Sequence, residues 1–305
     1  MSKKLIAIVV VVAALAVVIG GVWGYRLKTN DAQRKSEGNG IQENTPVQKG
    51  DTPALREVTA HELEIEKKIS PGSFKSWGPK AYEIIRGHEF RPPGDALAHV
   101  KQLMQRSESG DANAAYEIYL TINQCQTFTS NQADELAETA ALVGSGGWFL
   151  ERSERILKEC ESLVLDQDIY HADWLSKAAA MGSQEAMRGY ARSPQKVIGS
   201  LEDAIRDPEK LARWKENSLK YLNEMAEQGN VSALADLQSF YTYGRSIVSA
   251  DPVAALAYAR VLNRINPQFS SSEGISEAES ALTGQQRAKA LTMSEGIFQK
   301  CCVLR

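Results

Sequence analysis

One frame of residues recurs along this chain and restricts its fold more than any other feature. Trp174-Leu175-x3-Ala179-x2-Gly182-Ser183-x2-Ala186 and Tyr221-Leu222-x3-Ala226-x2-Gly229-Asn230-x2-Ala233 agree at every named position. The frame also fits Leu103-x3-Ser107-x2-Gly110-Asp111-x2-Ala114, and a weaker copy runs through Leu136, Ala141, Gly144 and Ser145. The glycines at 110, 144, 182 and 229 are thus 34, 38 and 47 residues apart, a period typical of two-helix units with insertions. The residue types suit a helix–turn–helix. Glycine ends one helix in a left-handed conformation, Asp, Ser or Asn caps the next, and alanine lets the two approach closely.

The surrounding sequence agrees. From Gly94 onward alanine is abundant, and Leu97, Val100, Leu103 and Met104 recur at helical spacing. Asp207-Pro208 and Asp251-Pro252 each place an N-cap residue before a proline at the first helical position. No alternating strand or hairpin pattern stands out. The expected fold class is therefore all-α, a short α-solenoid of helical hairpins over residues 94–300, with a tail at 301–305.

The fullest unit is Ala226-x2-Gly229-Asn230-x2-Ala233-x3-Leu237-x3-Tyr241-x2-Gly244, followed by Asp251 and Ala255. It resembles the Sel-one-like repeats, relatives of the tetratricopeptide repeat, and the likeness covers about residues 94 to 265. Gln238 stands where that family usually carries a glycine after the leucine. The unit beginning at Gly182 lacks the Leu and Tyr-x-x-Gly portion near Tyr190. The resemblance implies an α-solenoid with an interaction role, and names no substrate or partner.

The N-terminus has a different character. After Met1-Ser2-Lys3-Lys4, residues Leu5 to Tyr25 form an uncharged apolar run ended by Arg26. As a helix at 1.5 Å per residue it would be about 32 Å long, enough to cross a hydrocarbon core of about 30 Å, with Trp23 and Tyr25 at the far interface. Ala14-Leu15-Ala16 offers a signal-peptidase site, but cutting there would leave Val17-Val18-Ile19 on the mature end. The expectation is an uncleaved single span behind a short cytoplasmic tail of residues 1–4. Lysines and arginines nearly balance across it, with Lys3 and Lys4 before and Arg26 and Lys28 after. A four-residue tail is readily retained, so the expected arrangement is a bacterial inner-membrane protein with a periplasmic C-terminal domain. Residues 26–54 hold almost no large apolar side chains and read as a flexible linker. Residues 55–93 read as a lead-in, a helix over Leu55–Ile69 and then loops broken at Pro71-Gly72, Gly78-Pro79 and Pro92-Pro93.

Composition narrows the function. A net charge of −3 without a basic cluster argues against nucleic acid as a partner. His61, His88, His99 and His171 show no zinc-binding spacing, and no phosphate loop, dinucleotide turn or nucleophile elbow occurs. No catalytic residue, metal or cofactor is therefore expected. Of the aromatic residues, Trp174, Tyr221 and Tyr241 occupy packing positions of the frame, while Tyr243 and Tyr258 are candidates to line a groove. Cys125 and Cys160, one repeat apart at the ends of two expected helices, would form a disulfide in an exported domain, worth about 3–4 kcal/mol in the chain-entropy model. In a reducing compartment they would be two small buried residues. Cys302 stands fourth from the end, as in a prenylation box, but Arg305 argues against one, and Cys301 and Cys302 are expected in a frayed terminus. The sequence thus points to a membrane-anchored, non-enzymatic scaffold or adaptor that binds a protein or peptide. A subunit contacting its complex through the membrane helix, or a cell-wall enzyme, are the alternatives.

Overall fold

The structure, a computed structural model, describes residues 73–85, 91–129, 132–142, 144–244 and 247–303. The expected tail, membrane span and linker, the helix expected over Leu55–Ile69, and the side chain of Leu136 lie outside them. No helix of the described residues is long and apolar enough to cross a membrane.

The described residues are mostly helical, as the sequence predicts. The first hairpin pairs α1 (Ala96–Glu108) with α2 (Ala112–Thr129), and the second pairs α3 (Gln132–Leu142) with α4 (Gly146–Leu165). After the one-turn α5 (Gln167–Tyr170) come α6 (Trp174–Ala180) and α7 (Gln184–Arg192). Two short helices, α8 (Pro194–Ile198) and α9 (Leu201–Arg206), then lead into α10 (Pro208–Glu227) and α11 (Val231–Tyr243). The chain closes with α12 (Pro252–Ile265), α13 (Ser272–Ser280) and α14 (Gly284–Cys301). The uneven glycine spacing now has a physical source: α5 sits in the 38-residue interval, and α8 and α9 fill the 47-residue one.

The repeat glycines make the same turn four times. Gly110, Gly144, Gly182 and Gly229 have φ of 95°, 75°, 100° and 95°. Each donates its N–H to the carbonyl three residues back, and the next residue donates to the carbonyl five back, as Gly229 does to Ala226 and Asn230 to Met225 at 3.0 Å. This double bond satisfies carbonyls that a helix end would leave unpaired. In three of the four, the residue after the glycine caps the following helix: Asp111 accepts from Ala114 N–H, Ser183 from Ala186 and Asn230 from Ala233. Ser145 makes no such cap.

The frame residues pack as their spacing predicts. Leu103, Ser107, Ala114, Leu175, Ala179, Ala186, Leu222, Ala226, Ala233 and Leu237 are all buried. In the weaker copy Ala141 is exposed and its neighbour Ala140 is buried instead, because the apolar face of α3 is shifted by one residue. Packing runs from neighbour to neighbour, α1 on α2, α2 on α6, α6 on α7, α7 on α10, α10 on α11, α11 on α12 and α12 on α14. Cys125 of α2 and Cys160 of α4, both fully buried, form the expected disulfide with Cα atoms 5.6 Å apart. Near it, Arg91 pairs with Glu159 at 2.6 Å and fastens the start of the domain to α4.

Two expectations are corrected. The lead-in contains a β-ribbon, β1 (Phe74–Ser76) antiparallel to β2 (Tyr82–Ile84). Three residues per strand are too few to display alternation, and so short a ribbon depends on what it docks against. Its partners are distant in sequence: Trp77 meets Phe269 edge-on at 4.8 Å, and Tyr82 N–H donates to the Gly229 carbonyl at 2.9 Å. The C-terminus is not frayed as far as it is described, because α14 runs to Cys301, and Cys301 and Cys302 are buried.

The glycine turns differ in what surrounds them, and this can be tested. A Cβ at Gly110 would meet nothing within 4 Å, whereas at Gly229 it would lie 2.2 Å from the Lys80 carbonyl oxygen and 2.8 Å from that of Cys301. Gly110→Ala should cost only the left-handed backbone penalty of roughly 1–2 kcal/mol. Gly229→Ala adds a clash with two backbones and should cost at least about 3 kcal/mol. Urea unfolding of the two variants side by side measures the difference, and equal losses would contradict the packing described.

Candidate functional site

Two helices that follow repeat glycines, α7 and α11, meet at one buried polar cluster. Gln184 opens α7 and Asn230 caps α11, and they are 1% and 0% exposed. Buried amides need partners, and these have them. Asn230 Nδ2 donates to Gln184 Oε1 at 3.0 Å, and Gln184 Nε2 donates to Gln228 Oε1 at 2.9 Å. The Tyr82 hydroxyl, brought in by β2, donates to the same Gln184 oxygen. One amide therefore joins the ribbon to two successive hairpins.

Beside this cluster a groove of about 290 Å³ opens. Its walls include Tyr116 of α2, Arg188 and Arg192 of α7, Ser232 of α11 and Ile84 of β2. Arg188 Nε and Arg192 Nη1 each reach a carboxylate oxygen of Asp236 on α11 at 2.7 Å. The Asp236 side chain is 9% exposed, against 36% and 54% for the two arginines. The carboxylate is thus held inside while the guanidinium groups keep one side toward the groove. Ser232 and Asp236 are one turn apart, and Tyr243, 68% exposed, falls on the same stripe of α11 about 16 Å from Ser232.

Of the expected groove residues, only Tyr243 is accessible. Tyr258 is a core residue, 5% exposed, stacked on Tyr241 at 5.9 Å with its hydroxyl toward Asn223. The cause lies in α12, which packs between α11 and α14 and buries nearly every residue from Val253 to Leu262. Trp174 and Tyr221 pack as expected, Trp174 Nε1 donating to the Ile169 carbonyl and Tyr221 meeting Tyr190 edge-on. Gln238 spends its amide on Thr242 in its own helix.

Sequence reasoning did not single out Tyr82, Gln184, Arg188, Arg192 or Asp236. A signal existed for Asp236, a lone charge in the otherwise apolar Ala233-Leu234-Ala235-Asp236-Leu237. The others become visible only once the hairpins stack. Among the described residues no three His, Cys, Asp or Glu side chains are placed to hold a metal. A second cavity, of about 330 Å³, lies among α12, α13 and α14. Its charges pair with each other, Arg260 with Glu279 and Arg264 with Glu295. No family model and no curated protein matches the chain.

Burial pushes the Tyr82 phenol well above its ordinary range near 10, against the opposing pull of its bonds to Gln184 and Asn230. In the unfolded chain that phenol ionises near 10, while in the folded protein it stays protonated. The unfolded state therefore loses the proton first, and stability falls as pH rises above about 10. At neutral pH Tyr82→Phe should cost about 1–2 kcal/mol through the lost bond to the Gln184 oxygen, which keeps only its bond from Asn230. Above pH 10 the deficit relative to wild type should shrink, because the variant no longer carries that phenol. Denaturant unfolding at both pH values measures it, and a deficit that grows with pH would refute the assignment.

Proposed function

We propose that this protein is a membrane-anchored, non-enzymatic scaffold whose stacked hairpins form a short α-solenoid and hold a polypeptide partner in the groove between α2, α7 and α11. The observation that carries the reading is that the second helices of three of the hairpins, α2, α7 and α11, line one cleft. In repeat folds such a surface is the natural binding face, since each unit contributes the same helix to it. The groove also offers what an extended peptide needs, namely guanidinium groups for its carbonyls or carboxylates, an aromatic wall at Tyr116 and an apolar side chain at Ile84. Tyr243 extends the contact surface along α11.

The apolar run Leu5–Tyr25 is the proposed anchor and residues 26–54 the tether, with the helical domain on the periplasmic side of a bacterial inner membrane. The Cys125–Cys160 disulfide supports export, since such bonds persist in oxidising compartments. Recovery of the intact chain in carbonate-washed membranes is expected. A soluble product beginning near Val17 would show that the run is a cleaved signal.

The binding face is tested in the full-length protein with photo-crosslinking side chains. One placed at Ser232 or at Tyr243 should capture the same polypeptide, and one at Leu201, exposed on α9, should not. Arg192→Glu should lower the yield at Ser232 about tenfold, equivalent to ~1.4 kcal/mol. Equal capture from Leu201, or none from either groove position, would remove the groove from the mechanism.

A further inference from the structure

α14 ends in two adjacent cysteines, Cys301 and Cys302, joined to one another by a disulfide. A bond between neighbours closes a very small ring, so it removes little freedom from the unfolded chain, unlike Cys125–Cys160 across 35 residues. Its effect is local, and the locality is where three elements meet. Lys80, in the loop of the β-ribbon, donates from Nζ to the carbonyl of Lys300 and, at 2.9 Å, to that of Glu227. Lys300 Nζ returns to Glu227 Oε1 at 2.9 Å. The Cys301 carbonyl lies directly against Gly229. The last carbonyls of a helix have no partner within it, and here they serve as the docking surface for the ribbon and the Gly229 turn. The conformation of the Lys300–Cys302 backbone therefore decides whether this junction closes.

We infer that Cys301–Cys302 is a redox-operated latch: oxidised, it holds the last turn of α14 against Lys80 and the Gly229 turn, and reduced to two thiols by a dithiol, it lets that turn open. Cys302 is the less buried residue, at 4% exposure against 0% for Cys301. A thiolate of the reductant attacks Cys302 Sγ, forming a mixed disulfide, and Cys301 leaves as a thiolate that takes up a proton. The reductant's second thiolate then attacks its own sulfur in the mixed disulfide, closing the reductant's disulfide and releasing Cys302, which is protonated in turn. Two electrons and two protons pass from the dithiol to the pair. Because the two thiols remain on adjacent residues, reoxidation needs no search through the chain.

The test uses the full-length protein. Peptide mapping after alkylation without reductant should leave Cys301 and Cys302 unlabelled and linked within one peptide, and labelling of both would overturn the inference. Limited treatment with dithiothreitol should then open this pair while mapping shows Cys125–Cys160 still closed. In that state hydrogen exchange at the Tyr82 amide and in the last turn of α14 should quicken about fivefold or more, and the protein should retain one equivalent of phenylarsine oxide, which chelates adjacent thiols. Unchanged exchange in the reduced protein would overturn the latch. The variant Cys301→Ser/Cys302→Ser should show the faster exchange without reductant and hold no arsenical. If that variant is folded but exchanges as slowly as oxidised wild type, the disulfide has no control over the junction. If it does not fold, the wild-type exchange and arsenical measurements decide the matter alone.

Discussion

The hydrogen bonds that Gln184 gives and receives join parts of the chain that are far apart in sequence. Its oxygen takes bonds from Asn230 and from Tyr82, and its nitrogen bonds Gln228. Each of these groups would be costly if left alone, since a buried polar atom without a partner forfeits roughly 1–3 kcal/mol. The cluster is therefore satisfied only when the α6–α7 hairpin, the α10–α11 hairpin and the ribbon are all in place. Apolar contacts supply most of the driving force for stacking, but they tolerate sliding. The buried amides do not, because a shift of one residue would leave several donors and acceptors unpaired at once. Register between the two hairpins, and hence the shape of the groove beside them, depends on this cluster.

The glycine at 229 carries the same logic into the backbone. At Gly110, Gly144 and Gly182 only the positive φ requires the residue. At Gly229 the absent side chain also lets the Lys80 and Cys301 carbonyls approach the turn. The turn of the most complete repeat unit has thus become the docking point for the only described strands and for the end of α14. Both insertions into the junction are sequence-distant, so their closure depends on helices already packed, and the ribbon has no fold of its own to contribute beforehand.

Local chemistry was legible in the sequence and long-range chemistry was not. A glycine followed by Asp, Ser or Asn marks a helical turn because every contact in it lies within six residues; three of the four also carry alanine at the fixed offset, and all four turns formed. The buried face followed for the same reason, with a one-residue slip only at Ala141, where the frame was weakest. Tyr258 failed because the residues that cover it, Tyr241 of α11 and Asn223 of α10, come from other helices that stack on α12. The ribbon and the Cys301–Cys302 end failed for the same reason, since neither has a pattern apart from its partners. Of the candidate site, Tyr243 and the repeat frame could be named beforehand. The Arg188–Asp236–Arg192 bridge could not, because Asp236 finds its arginines on the preceding hairpin.

The position of the long-loop disulfide follows from the uneven quality of the repeats. The α3–α4 hairpin is the weakest copy: Ser145 fails to cap α4, Ala141 faces outward, and Leu142, Trp148, Leu150 and Leu157 are exposed. With these apolar side chains exposed, this hairpin is where opening should begin. Cys160 ties α4 of this hairpin to Cys125 of α2, and next to it in sequence Glu159 accepts from Arg91 and from the Gly94 amide. The covalent bond and the ion pair therefore hold the hairpin that leaves these apolar side chains exposed. Asn230, Leu237 and the caps of α11 and α12, in the fullest unit, hold their hairpin without any such bond. The disulfide thus compensates for decay of the repeat pattern, and α7 and α11, which supply most of the groove, are left to stand on their own packing.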